Sequence, residues 1–428
     1  MMPKALILFN IILLSESFIL KSFNPSDNLL IKIPSPTFDI SWPRNISLKS
    51  ELFLAPNKTK QVNCLGLGTT ISKGFELIFR SKDTKNNPLK VNFWVSSRSK
   101  PEPVEVTLAK GFDINDILFK VDRKTIFIIH GFLSHGRQQW VKDMERALLL
   151  ADDVNVVAVD WSAHGNTWNY YKAAVNAKSV GKHIAKFLAY IMDLTQELNP
   201  AGLESINWGP IHMIGHSLGA HICGIAANKF EKISKLWKIT RITGLDPAQP
   251  CFKNTNISLD ITDGKFIDII HTNAEILLNL GLGLPNPLGH VDFYPDGGKI
   301  QISCSKQYEN YFDYLGIPKD VIDEAICSHG RSYVYFTESI IASVAKNGTF
   351  WGHPWDRSYE SALKLIDEPC DSEKCVEMGI NANKYSARGS FFVVTSSSLP
   401  YYDVNTDDKI KLKKHLQSES KGMSSRFG

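Results

Sequence analysis

Ile211-His212-Met213-Ile214-Gly215-His216-Ser217-Leu218-Gly219-Ala220 joins a short apolar run to an apolar, helix-compatible one through Gly-x-Ser-x-Gly. It reads as a strand, a sharp turn and a helix. A serine at such a turn holds its hydroxyl exposed on a strained backbone, and glycines flank it because strand and helix approach too closely for a Cβ. Three fixed positions in five recur by chance, so it is the strand and helix on either side that mark Ser217 as a candidate nucleophile. The competing reading is an incidental loop serine.

The neighbouring segments extend the pattern. Thr125 to His130 is apolar and β-branched, the composition of a strand buried on both faces of a parallel sheet. It ends in Gly131-Phe132-Leu133, where a turn can bring the Phe132 N–H beside the nucleophile as an oxyanion donor; an ordinary strand-ending glycine is the alternative. Val154 to Trp161 is a second buried strand. Tyr170 to Leu198 carries Val180, Ile184, Phe187, Leu188 and Ile191 at helical spacing and stops at Asn199-Pro200. Ile239 to Leu245 and Phe266 to His271 are further strands, as are Phe75 to Arg80 and the alternating Val91 to Ser96. Strands alternating with helices predict an α/β fold, a mostly parallel sheet covered on both faces, with its sites at the carboxyl ends of the strands.

Partners for Ser217 are therefore sought at strand ends. Asp246, in Gly244-Leu245-Asp246-Pro247-Ala248, closes the strand after the elbow helix, although Asp-Pro fits a plain turn equally well. Twelve histidines compete for the role of base. His329 stands in a predicted loop before a helical run from Tyr333 to Val344, whereas His271 ends a strand and His216 and His221 flank the serine turn. The order Ser217, Asp246, His329 is the α/β-hydrolase order. In that chemistry His329 takes the serine proton, Asp246 fixes the imidazole tautomer, and the N–H groups of Phe132 and Leu218 bind the oxyanion.

The chain has 428 residues, 43% hydrophobic and 11% aromatic, enough for one large α/β domain or two smaller ones. Its net charge of +4, from 48 basic and 44 acidic residues, gives no reason to expect nucleic acid as a partner. Lys4 precedes an apolar run from Ala5 to Leu14, too short to span a bilayer, so residues 1–20 are expected to be a secretory signal and the protein extracellular; a buried amino-terminal strand is the alternative. Sequons at Asn45, Asn57, Asn256 and Asn347 agree with secretion. Residues 21–60 are polar and proline-punctuated, a flexible lead-in or propeptide, and the organised domain is expected over 61–400. Residues 401–428, with Lys409, Lys411, Lys413 and Lys414, read as a solvated basic tail.

Seven blocks together resemble the secreted pancreatic lipase family, and more closely its single-domain insect members. They are Phe127 to Phe132, Val159-Asp160-Trp161, Gly215 to His221, Gly244 to Ala248, Ile270-His271-Thr272, Gly289 to Pro295 and Cys327-Ser328-His329, in family order between about residues 62 and 398. The resemblance implies an α/β-hydrolase fold, Ser217, Asp246 and His329 as the triad, and Phe132 and Leu218 as the oxyanion hole. It further implies disulfides Cys304–Cys327 and Cys370–Cys375, and an amphipathic lid over residues 305–326. Cys64, Cys223 and Cys251 leave an odd thiol.

The lid and the stretch Asn273 to Leu288 are not shortened as in the family's phospholipase A1 members, which favours neutral acylglycerols over phospholipids. Only about thirty residues follow Phe391 to Thr395, so no colipase partnership is expected. The family's calcium loop keeps Asp260 and Asp263 but has no acidic residue over 255–258, so neither a metal nor a cofactor is expected. The expected function is a triacylglycerol lipase-like serine hydrolase working at a lipid interface. The alternatives are a phospholipase A1 and a non-catalytic, yolk-type lipid binder on the same fold.

Overall fold

A computed structural model describes residues 90–165, 170–253, 255, 257–275, 281–304, 319–371 and 373–424. The expected strand Phe75 to Arg80, the sequons at Asn45, Asn57 and Asn256, the signal and lead-in, and residues 305–318 of the expected lid lie outside them.

Among the described residues one sheet organises the domain. In chain order its strands are β1 (Asn92–Ser97), β2 (Lys100–Val106), β3 (Thr125–Ile129), β4 (Asn155–Asp160), β5 (Ile211–His216), β6 (Ile239–Leu245), β7 (Phe266–Ile270), β8 (Val291–Pro295), β9 (Trp351–Pro354), β10 (Val376–Glu377) and β11 (Gly389–Val393). They lie side by side as β10-β9-β11-β8-β7-β6-β5-β3-β4-β1-β2. The centre, from β4 through β3, β5, β6, β7 and β8 to β11, is parallel, and the two margins are antiparallel. The chain runs from β3 outward to β4 and then returns to the other side of β3 for β5. That reversal makes a crevice beyond the carboxyl ends of β3 and β5, the place where sites of open α/β sheets are found.

The helices are α1 (Gln139–Ala151), α2 (Tyr170–Leu198), α3 (Leu218–Phe230), α4 (Lys319–Ala345), α5 (Tyr359–Leu365) and α6 (Thr406–Ser424), besides one-turn pieces. Alternate residues of β3 feed two cores. Phe127 and Ile129 join Phe187, Ile184 and Ile222 under α2 and α3. Ile126 and Ile128 join Met144, Leu148, Tyr335 and Phe336 under α1 and α4. β3 is thus buried on both faces, as its unbroken apolar run requires. α2 occupies the range that the spacing of its apolar residues predicts, with Val180, Ile184, Phe187, Leu188 and Ile191 fully buried. The outermost strand, β2, carries Pro101 and Pro103.

The carboxyl-terminal segment corrects an expectation. Residues 406–424 are helical rather than a solvated tail, and Leu412 and Leu416 pack with Ile302, Ile366 and Phe392 in a small third core. The buried carboxylate of Asp408 pins the first turn, accepting from Ser396 Oγ at 2.9 Å and Ser397 N at 2.9 Å. Asp408, Leu412 and Leu416 fall four apart on one stripe, and the lysines between them conceal it. Residues 319–326 of the expected lid range are the first turns of α4.

Candidate active site

Ser217 sits where β5 ends and α3 begins, with φ 57° and ψ −120°, a left-handed backbone forced on a non-glycine residue. The motif's glycines are the reason it can. A Cβ on Gly215 would overlap the Gly219 carbonyl, and one on Gly219 would overlap the Ile129 carbonyl of β3. The elbow is fastened to β6 by Ser217 N–H donating to Leu245 O at 3.0 Å and Ala248 N–H donating to Ser217 O at 3.3 Å. The Ser217 side chain has no hydrogen-bond partner among the described residues, which leaves its hydroxyl uncommitted.

Asp246 follows directly on β6, at φ 45°, with its N–H donating to Ile270 O at 2.8 Å. Its fully buried carboxylate accepts from Thr272 N at 2.9 Å and Asn273 N at 3.1 Å. The Gly283 backbone covers it so closely that a Cβ would strike the carboxylate. The remaining partner is His329, whose Nδ1–H donates to Asp246 Oδ2 at 2.6 Å. A buried carboxylate held by two backbone donors and one imidazole is rigid and leaves Nε2 as the nitrogen free to accept a proton.

His329 lies within α4, not in a loop before it. The inward face of the turn around it is polar, with Ser328, His329 and Ser332 all buried, so the apolar period that marks a helix is missing there. The imidazole is consequently carried by a rigid element. Its carbonyl accepts from Ser332 Oγ at 3.0 Å, His216 Nε2 at 3.3 Å and Thr272 Oγ1 at 3.5 Å. Two residues before it, Cys327 is bonded to Cys304.

The expected oxyanion donors flank the serine. A Cβ on Gly131 would lie 2.7 Å from Ser217 Cβ and 3.3 Å from its Oγ, so the turn that carries Phe132 is pressed against Ser217. Leu133 takes φ 53°, and the turn is locked to the end of β4. There Trp161 donates through N to His130 Nε2 at 3.2 Å and through Nε1 to His130 O at 2.9 Å, while the two rings stack at 5.3 Å. Leu218 is the first residue of α3, where amides lack intrahelical acceptors. Neither the Phe132 nor the Leu218 N–H has an acceptor among the described residues.

The other histidines near the site are braces. His221 is bound through Nε2 to Ala248 O at 2.8 Å and accepts from Leu259 N at 3.0 Å, and burial pushes it down to about 4. His271 lies between Leu284 O and Asp292 Oδ1, each at 2.9 Å, with Tyr294 stacked on it. None of these touches Asp246. Thr272 and Asn273 grip the carboxylate through backbone N–H groups, which leave no signal in residue type.

Calcium does not fit the loop that would hold it. Asp260 and Asp263 cap a single 3-10 turn reciprocally, Asp263 also binds Asn228, and burial raises the Asp263 carboxyl to about 6. Both described carboxylates are spent on the cap. Cys370–Cys375 is the second expected disulfide. Cys251 is also disulfide-bonded, and Cys223 is a buried free thiol. Asn347 is exposed in the turn after α4.

This architecture is that of the α/β-hydrolase fold. The chain belongs to the lipase family: the family model described as Lipase matches residues 60–401. It is 35% identical to pancreatic triacylglycerol lipase of Myocastor coypus over 324 residues, 75% of this chain and 65% of that one. It is 36% identical to the human protein of that name over 71% of this chain and 62% of that one. It is 38% identical to pancreatic lipase-related protein 2 of Bos taurus over 65% and 57%. The chain thus spans less than two thirds of the length of each. Among solved structures, Est1E from Butyrivibrio proteoclasticus matches with a TM-score of 0.22 and 16% identity, over 38% of this chain and 49% of that one, which adds nothing to the topology. No described helix is long and apolar enough to cross a membrane.

Proposed function

We propose that this chain is a secreted serine ester hydrolase acting on acyl esters of neutral lipids. The observation that carries it is the buried Asp246–His329 pair, 2.6 Å apart, on the rim of the sheet where Ser217 stands on a strained elbow. Ser217 Oγ attacks the acyl carbon while its proton passes to His329 Nε2. The carbonyl oxygen becomes an oxyanion facing the N–H groups of Phe132 and Leu218, each worth about 3 kcal/mol of the barrier. His329 then protonates the departing alcohol. Water, deprotonated by His329, releases the fatty acid from the Ser217 ester. Asp246 holds Nδ1–H throughout and stabilises the imidazolium.

The disulfides, the exposed Asn347 sequon and the apolar run after Lys4 support an extracellular protein. Asn45, Asn57 and Asn256 are proposed as further glycosylation sites, and residues 305–326 as the lid, closed at its base by Cys304–Cys327. Purified protein assayed on emulsified triolein and on phosphatidylcholine, with Ser217→Ala beside it, tests the assignment. Triolein cleavage that Ser217→Ala abolishes is the expected result. Faster phosphatidylcholine cleavage would make it a phospholipase A1, and a folded wild type with no ester cleavage would leave a lipid binder.

A further inference from the structure

The residue before the serine makes a contact that the hydrolytic scheme does not use. His216 is buried, and its Nε2–H donates to the carbonyl of His329, 113 residues away in sequence, at 3.3 Å. The two rings lie 4.5 Å apart at 46°. Behind them Tyr333 of α4 meets the His216 ring edge-on at 5.0 Å, Trp140 of α1 meets it at 5.8 Å, and Trp140 and Tyr333 stack at 4.8 Å. His216 thus fills a gap between the elbow, α1 and α4.

We propose that His216 is a positioning residue that couples the elbow carrying Ser217 to the helix carrying His329 and sets the spacing between them. This rests on the serine-hydrolase reading above. A backbone carbonyl only accepts, so Nε2 of His216 must carry the proton. Burial holds the ring neutral, reinforced by the charge of His329 against the upward pull of the hydrogen bond to its carbonyl and, more weakly, by His130. A neutral ring matters because His329 becomes cationic in the reaction, and a second charge 4.5 Å away would oppose that step. The hydrogen bond draws α4 toward the residue adjacent to the nucleophile, while Thr272 Oγ1 and Ser332 Oγ hold the same carbonyl from other directions. Asp246 orients the imidazole about its own axis, whereas His216 fixes the backbone from which it projects.

The test compares His216→Phe, which keeps a ring and loses the donor, with His216→Gln, which keeps a neutral N–H donor, under saturating ester. His216→Phe is expected to lose roughly tenfold in kcat, the worth of one such hydrogen bond, with KM and melting temperature near wild type. His216→Gln is expected to recover most of that loss. Wild-type kcat in His216→Phe, or an equal loss in both variants, would overturn the positioning role. Should the phenylalanine variant not fold, His216→Met against His216→Gln gives the same comparison. Ser217→Ala is run alongside: if it retains activity the hydrolase reading itself fails, whereas its inactivity with an unaffected His216→Phe removes only the role given to His216.

Discussion

Asp246 accepts a 2.6 Å hydrogen bond from His329 Nδ1 while its remaining lone pairs are taken by the backbone amides of Thr272 and Asn273. The imidazole is thereby fixed in one tautomer. Asp246→Asn keeps the volume but offers an N–H where an acceptor is needed, so the ring turns to the wrong tautomer. A fall in kcat of about a thousand- to ten-thousandfold with little change in KM is expected. Steady-state kinetics on a soluble ester measures it, and a loss under tenfold would deny Asp246 its role.

Two glycines separate folding from catalysis. Gly219→Ala would drive a Cβ into the Ile129 carbonyl, backbone against backbone, and soluble folded protein is not expected. Gly131→Ala meets Ser217 Cβ at 2.7 Å and the His216 carbonyl oxygen at 3.1 Å, so the Phe132 turn must move away from the elbow. That variant should fold with a lowered melting temperature and lose about a hundredfold in kcat through misplacement of the oxyanion donor. Normal turnover would show that Phe132 N–H is not a donor.

Stability should fall toward alkaline pH because of Glu338. Burial lifts its carboxyl to about 7, against the downward pull of Tyr401 N–H at 2.8 Å and of Arg331. A folded value above the unfolded one means that the folded state holds the extra proton, so this contribution is present in acid and is lost as pH rises through about 7, amounting to at most about 3 kcal/mol. Glu338→Gln, which mimics the protonated form, should match wild type in melting temperature near pH 5 and exceed it near pH 8. Asp263 and Asp296, each also raised to about 6, remain in both proteins, so the difference isolates Glu338. Parallel melting curves at every pH would contradict it.

The carboxyl-terminal helix should be structural. Leu412→Ala empties a fully buried site and is expected to cost about 2 to 5 kcal/mol. Chemical denaturation reads it, and a variant as stable as wild type would mean that α6 is detachable.

Where pattern and environment agreed, the sequence was legible. The apolar stripe of Tyr170–Leu198 is unbroken and sets the limits of α2, and the β-branched run of β3 announces a strand covered on both faces. Legibility failed where a buried face is polar or a solvent face is crowded with charge: the Ser328–Ser332 turn of α4 and the Asp408-Leu412-Leu416 stripe of α6. At the site, Ser217 could be singled out because its glycines answer to a steric demand. Residue pattern alone did not separate Asp246 and His329 from a plain turn and eleven other histidines; the family resemblance singled them out. The reversal of strand order at β3 has no local signature at all.

Pro101 and Pro103 stand on the outermost strand, β2, where a proline lacks the N–H that another strand would need. Both prolines interrupt the row of donors that this margin could offer to another strand. An incoming chain therefore finds fewer donors with which to continue the ladder. That is a built-in guard against edge-to-edge polymerisation of the sheet.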